Sequence, residues 1–183
     1  PFDDASGGGR GLMPLALLRP ASLGEIQAAL AICFRHAIPV VPQGGRTGLS
    51  GGALPDADAV VLSLSRYAGI EGIDPVAGTM TLRAGTVLQE AQEAAEQAGF
   101  LFPVDLGARG SCQIGGIVST NAGGIRVVRY GMPRDNLLGL EAVLADGTVL
   151  SHLTQVTKDN TGYDLRHLFC GAEGTLGIVT RAV

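Results

Sequence analysis

The stretch PVDLGARGSCQIGGIVSTNAGG, residues 103–124, decides how the rest of the chain is read. Six of its 22 residues are glycine, and Ser111, Ser119, Thr120 and Asn121 lie between them. Glycine loses more backbone entropy on folding than any other residue, so a run like this packs poorly by itself. It makes sense where another body lies against the main chain and takes its N–H groups. A second segment has the same character: PQGGRTGLSGG, residues 42–52, carries five glycines in eleven residues. Successive amides in such a loop can form an anion-binding nest.

The surroundings of this second segment narrow what it can hold. A phosphate loop of the GxxxxGK[ST] kind needs a lysine that is not there. A dinucleotide fingerprint needs GxGxxG opening a helix, with an acidic residue about 20 positions on. Here a short apolar strand, Ile38 to Val41, precedes the loop, and Ala59 to Leu64 reads as the next strand. In a strand–loop–strand unit an anion is held by loop amides rather than by a helix N-terminus.

The remaining elements follow from periodicity. Residues 1–13 read as a glycine-rich lead-in. Ser22 with Glu25 matches a capping box, opening a helix with Ile26, Leu30 and Cys33 on one face and His36 near its end. Thr79 to Ala84 alternates as a strand. Thr86 and Gln89 predict a second capping box, for a helix burying Val87, Leu88, Ala91, Ala94, Ala95 and Ala98 and stopping at Gly99. Residues 137–150 predict a hairpin whose Asp146-Gly147 suits a type I′ turn. Asp164 is expected to cap a short helix, Leu165 to Cys170, before a final strand near Ile178. His152 and His167 read as surface or structural residues.

Composition excludes several classes. Hydrophobic residues make up 46% and charged residues 16%, which argues for a folded core. Net charge is −4 with no basic run, so nucleic acid is not an expected partner. No apolar run approaches the roughly 20 residues of a membrane span. Cys33, Cys112 and Cys170 are far apart, with no CxxC pair and no metal-ligand cluster. That sparse set fits a reducing compartment, cytoplasmic for a bacterial chain or the mitochondrial matrix for a eukaryotic one.

Joined in order, PQGGRTGLSGG (42–52), residues 103–124, LGLEAVLADGTVL (138–150), KDNTGYDL (158–165) and GAEGTLGIVT (171–180) resemble the flavin-dependent oxidoreductases of the vanillyl-alcohol oxidase type. Within them the chain is most similar to the D-2-hydroxyglutarate dehydrogenase branch, near D-lactate dehydrogenases and glycolate oxidase subunits. The resemblance implies a PCMH-type FAD-binding domain, α+β in class, with FAD between two α+β subdomains. Residues 1–183 would all belong to it, as a fragment of a longer enzyme.

By that similarity Pro42, Gln43, Gly44, Gly45, Arg46, Thr47, Gly48, Leu49, Gly51 and Gly52 surround the pyrophosphate. Pro103, Asp105, Leu106, Gly107, Gly110, Ser111, Cys112, Gly115, Gly116, Thr120, Asn121, Gly123 and Gly124 would follow the ribityl chain and the ring, with Tyr130 in the same set. Glu173, Gly174, Gly177 and Ile178 would lie at the adenosine end. Some relatives attach the flavin through a histidine in the first loop; Arg46 stands here, so FAD is expected to be non-covalent.

The implied chemistry is oxidation of a D-2-hydroxy acid to the 2-oxo acid, with hydride passing to the flavin and on to an electron acceptor. No catalytic residue or metal ligand is assigned in this chain; the substrate residues are expected in a C-terminal domain. Two readings compete with this one: an NADPH-linked reductase of the enolpyruvyl-glucosamine type, and a non-catalytic flavin-binding domain.

Overall fold

The computed structural model describes residues 12–183, so the lead-in expected over 1–13 lies outside the described residues except for Leu12 and Met13. Two sheets organise the chain. The first is parallel, with order β1 (Ala16–Leu18), β3 (Val60–Ser63), β2 (Val40–Gln43). The apolar run before Arg19 therefore pairs as a strand, Ala16 opposite Val60. Between β1 and β2 runs α1 (Leu23–Arg35), whose Ser22 Oγ accepts from Glu25 N at 3.2 Å while Glu25 Oε2 accepts from Ala21 N at 2.7 Å. Ile26, Leu30 and Cys33 are buried as their spacing requires.

The second sheet is antiparallel. It consists of β4 (Ile70–Asp74), β5 (Thr79–Arg83), β6 (Leu140–Val143), β7 (Val149–His152) and β8 (Ile178–Ala182), in the order β4-β5-β8-β6-β7. Its side chains alternate between two cores. Leu82, Leu140, Ala142 and Val179 face one core, shared with α2 (Leu88–Gln97) and α3 (Ile114–Thr120). Ala84, Val143 and Ile178 face another, shared with Ile26 and Leu30 of α1 and Leu62 of β3. One sheet thus joins both halves, as the period-2 pattern of a strand buried on both sides permits.

A buried ion pair crosses this sheet. Glu141, 1% exposed, accepts from Thr180 Oγ1 at 2.9 Å and from Arg181 Nη2 at 2.5 Å. Arg181 also reaches Glu71 at 3.2 Å, which Arg83 binds at 2.8 Å.

Four local expectations are corrected. Thr86 forms no capping box: its Oγ1 accepts from Gly69 N at 2.9 Å and donates to Gly69 O at 3.0 Å, and Val87 is the N-cap of α2 without a side-chain bond. The first amides of α2 need no side chain, because Leu88 N and Gln89 N donate to Cys112 O and Arg109 O. Along α2, Leu88, Ala91 and Ala95 are buried, Ala94 is half-buried and Ala98 is exposed.

The hairpin turn is also not type I′. Leu144 and Thr148 still pair, Gly147 N donates to Leu144 O, and only Gly147 (φ 90°) takes a positive φ there. That is a three-residue turn with a left-handed glycine. Finally, α6 (Arg166–Phe169) has Leu165 at its N-cap with no side-chain bond. Asp164 instead pairs with Arg166 at 2.9 Å and His167 at 3.3 Å. Two further single-turn helices are α4 (Val127–Tyr130) and α5 (Pro133–Asn136).

Candidate functional site

The glycine content of 103–124 predicts main chain lying against another body, and the structure folds part of this run into α3. Ile114, Ile117 and Val118 are buried at helical spacing, which leaves Gly116, Ser119 and Thr120 on the opposite face. The helix is anchored by exchange with the entry to α2. Ile114 N donates to Thr86 O, Gly115 N to Ala84 O, and Val87 bridges Gln113. Each segment caps the other's helix, so both starts are held rigidly without side-chain caps. A Cβ on Gly115 would stand 2.7 Å from the Ala84 Cβ, so this glycine sets the closeness of helix and strand.

The loop after β2 comes against this helix. Gln43 is buried, and its Nε2 donates to Ala53 O at 2.7 Å, closing residues 44–52 into a loop. Arg46 holds the left-handed region at φ 56°, as a nest of alternating hand requires. Among the described residues, the amides of Gly45, Thr47 and Gly48 donate to no main-chain carbonyl. Gly45 lies directly on the second segment: a Cβ there would be 1.9 Å from Ser111 O and 2.9 Å from Cys112 Cα. Gly44 faces Gln113, and Gly116 has open space where its Cβ would be.

The turn 171–175 completes the cluster. Gly171 N and Glu173 N donate to Val118 O and Ser119 O at the end of α3. Glu173 (φ 52°) and Gly174 (φ 82°) are both left-handed, and Gly174 sits against Pro42. The Glu173 carboxylate is near Gly52, whose Cβ would lie 3.8 Å from Oε2. Behind the turn is a cavity of about 310 Å³ lined by Leu30, Cys33, Pro42, Val143, Gly177 and Ile178. Four non-glycine residues have positive φ among those described, and three of them, Arg46, Asn121 and Glu173, stand in this cluster. Strain of this kind collects at ligand sites.

Several expected residues are engaged otherwise. Thr120 Oγ1 donates back to Gly116 O at 2.8 Å. Asn121 Oδ1 accepts from Arg134 N at 3.0 Å and from Cys170 Sγ at 3.6 Å, so this oxygen ties α3 to α5 and α6. Asp105 is buried with its carboxylate between Arg109 (3.4 Å) and Arg126 (3.5 Å). A Cβ on Gly124 would meet Asp105 O, and one on Gly123 would meet Val127 and Met132. These two glycines allow chain to pack on chain.

Pro103 and Tyr130 lie elsewhere, lining a groove of about 390 Å³ with Phe100, Phe102, Ile114 and Val183. Leu49 and Gly107 are exposed, as is Gly110, whose Cβ would stand 3.4 Å from Gln89 Oε1, and Leu106 is half-buried. Cys112 and Cys170 are buried, and burial pushes both thiols up, away from nucleophile duty. Among the described residues no cluster of His, Cys, Asp and Glu could hold a metal ion. No helix there is long and apolar enough to cross a membrane.

Sequence reasoning missed Gln113. It is 8% exposed, it stands between Gly44 and α3, and its Oε1 is buried without a hydrogen-bond partner. Its position between a glycine-rich turn and an apolar i, i+3, i+4 run was the available signal.

Unpartnered loop amides, an open helix face at Gly116 and an orphaned amide oxygen suit a ligand carrying both anionic and hydroxyl groups. The family comparison agrees: residues 14–152 match the FAD binding domain family, and the chain belongs to it. A probable D-2-hydroxyglutarate dehydrogenase, mitochondrial, of Oryza sativa subsp. indica is 54% identical over 165 residues. The D-2-hydroxyglutarate dehydrogenase of Bos taurus is 51% identical over 164 residues. Each alignment covers 90% of this chain and 30% of the relative, so the chain spans under a third of their length. A D-2-hydroxyglutarate–pyruvate transhydrogenase of Saccharomyces cerevisiae is 46% identical over 171 residues. Among solved structures, an alkyldihydroxyacetonephosphate synthase superposes with TM-score 0.80 at 21% identity, covering 91% of this chain and 30% of that one. That likeness shows the fold, and the α+β expectation is met.

Proposed function

We propose that the chain is the FAD-binding part of a flavin-dependent dehydrogenase that oxidises a D-2-hydroxy acid to the 2-oxo acid, with FAD held non-covalently. The observation that carries the cofactor reading is the meeting of the 44–52 loop, the Gly116 face of α3 and the 171–175 turn around one opening. The relatives' names support the substrate class, D-2-hydroxyglutarate first and D-lactate next; glycolate is a third candidate of the same class.

When bound, FAD supplies the hydride acceptor. The chain's own residues bind and orient it. The amides of Gly45, Thr47 and Gly48 hold the pyrophosphate, Ser111 and α3 follow the ribityl side, and Glu173 to Ile178 with the cavity behind them take the adenosine end. Residues that bind the hydroxy acid, its base and the electron acceptor's site belong to the rest of a longer polypeptide. The relatives named mitochondrial support a mitochondrial location in a eukaryote; the matrix there, or the cytoplasm of a bacterium, is the compartment we propose.

The test is the absorbance spectrum of the purified chain after incubation with FAD, followed by acid precipitation. Flavin bands that co-purify and then leave with the supernatant are expected. A chain that stays colourless in excess FAD refutes the reading. Flavin that stays with the precipitate refutes the non-covalent part, and bleaching by NADPH would favour the reductase alternative.

A further inference from the structure

Gln113 is a buried polar residue whose side-chain oxygen meets no protein donor. The first amides of α3 are taken by Thr86 O and Ala84 O, and Gln113 makes no side-chain cap. Yet its carboxamide is buried beside the loop. A Cβ on Gly44 would lie 3.4 Å from Oε1, 3.5 Å from the Gln113 Cβ and 3.9 Å from Gly116 N. Oε1 therefore sits in the angle between the loop and the open face of α3, with no hydrogen bond. Buried acceptors are nearly always paired, so an unpaired one at a ligand opening points to a donor on the ligand.

We propose that Gln113 is a cofactor-recognition residue whose Oε1 accepts a hydrogen bond from a ribityl hydroxyl flanking the pyrophosphate. The proposal rests on the FAD reading above. Ionised phosphate offers acceptors only, so it cannot partner another acceptor; the hydroxyls on either side of it can. On that same reading the adenosine end lies on the side of Gly174 and Ile178, which line the 310 Å³ cavity. Gln113 stands on the Gly44–Gly116 side, which leaves it the ribityl chain.

The test is Gln113→Met in the purified chain, measuring FAD and ADP affinities by titration calorimetry and the melting temperature without ligand. Loss of one buried hydrogen bond predicts FAD affinity weakened about tenfold. ADP, which lacks the ribityl chain, should bind within about twofold of wild type. The ligand-free melting temperature should hold or rise, because the substitution removes an unpaired buried acceptor. Unchanged FAD affinity overturns the proposal while the FAD reading stands. Equal loss of FAD and ADP also overturns it, placing the contact at the phosphates or the adenosine. A wild-type chain that takes up no FAD removes the reading beneath it.

Discussion

Two glycines of the candidate site should respond to alanine with opposite signs. At Gly45 the new methyl would stand 1.9 Å from Ser111 O, while ordinary contact begins near 3.4 Å. The main chains of two loops must therefore part by about 1.5 Å, the shortfall between those two distances. Overpacking of this kind costs roughly 1–3 kcal/mol. In a domain of this size, that lowers the melting temperature by roughly 2–12 °C. At Gly116 nothing lies within 4 Å of the methyl, and the residue sits in α3 at ordinary helical φ. Alanine there gains up to about 1 kcal/mol of helix propensity. If the open face receives the flavin, Gly116→Ala raises the ligand-free melting temperature while weakening FAD, and Gly116→Val weakens FAD further. Differential scanning fluorimetry and FAD titration separate the two effects. A ligand-free Gly45→Ala chain as stable as wild type would refute the close contact of the loops. Undiminished FAD affinity in Gly116→Val would refute the placement of the cofactor on that face.

Other consequences rest on single contacts. Arg181→Leu strands the buried Glu141 carboxylate and should cost about 3–5 kcal/mol, whereas replacing both residues with leucine should be close to neutral by chemical denaturation. Burial alone would raise the Glu141 carboxyl, but hydrogen bonds from Arg181 and Thr180 outweigh it and hold it below its ordinary value of 4.5. The ion pair's contribution is therefore full above that value and is lost as pH falls through the lowered one, so the stability gap between wild type and Glu141→Gln should shrink from pH 6 towards about pH 3. Thr86→Val leaves the half-buried Gly69 N without its partner, while Gly69 O keeps the bond from Arg83 N, and should cost about 1 kcal/mol; Thr86→Ser, which keeps the hydroxyl, should cost less in the same denaturant titration. Asn121→Ala loses the Arg134 and Cys170 contacts and must also hold φ 49°, so it should be about 1 kcal/mol less stable than Asn121→Gly.

The helix α1 was legible because three signals agreed: Ser22 and Glu25 at its start, and Ile26, Leu30 and Cys33 at helical spacing. β1 and β4 were less so. β1 is only three residues long, and β4 carries Gly72 and a shift in register, so neither shows a clean alternation. α3 was hidden by composition: two adjacent glycines depress helix propensity, although Ile114, Ile117 and Val118 already had the right period. The capping residues Thr86 and Asp164 failed for different reasons. Main-chain carbonyls from distant segments satisfied one helix start, and an arginine close to the other claimed the carboxylate. The distant carbonyls cannot be read from a local window, whereas Arg166 stands two residues from Asp164, inside it.

The site was legible as segments but not as individual contacts. Glycine content drew attention to both loops, yet Gly45, Gly115, Gly123 and Gly124 have their missing Cβ positions filled by protein atoms. Gly116 and Gly48 do not. A glycine therefore records closeness without saying what is close, and chain–chain approach accounts for many of those here. An unpaired buried acceptor beside such a glycine is a second mark, because no protein donor meets it. By that measure the centre of the candidate site shifts from the glycines towards Gln113, at the corner where the loop meets α3.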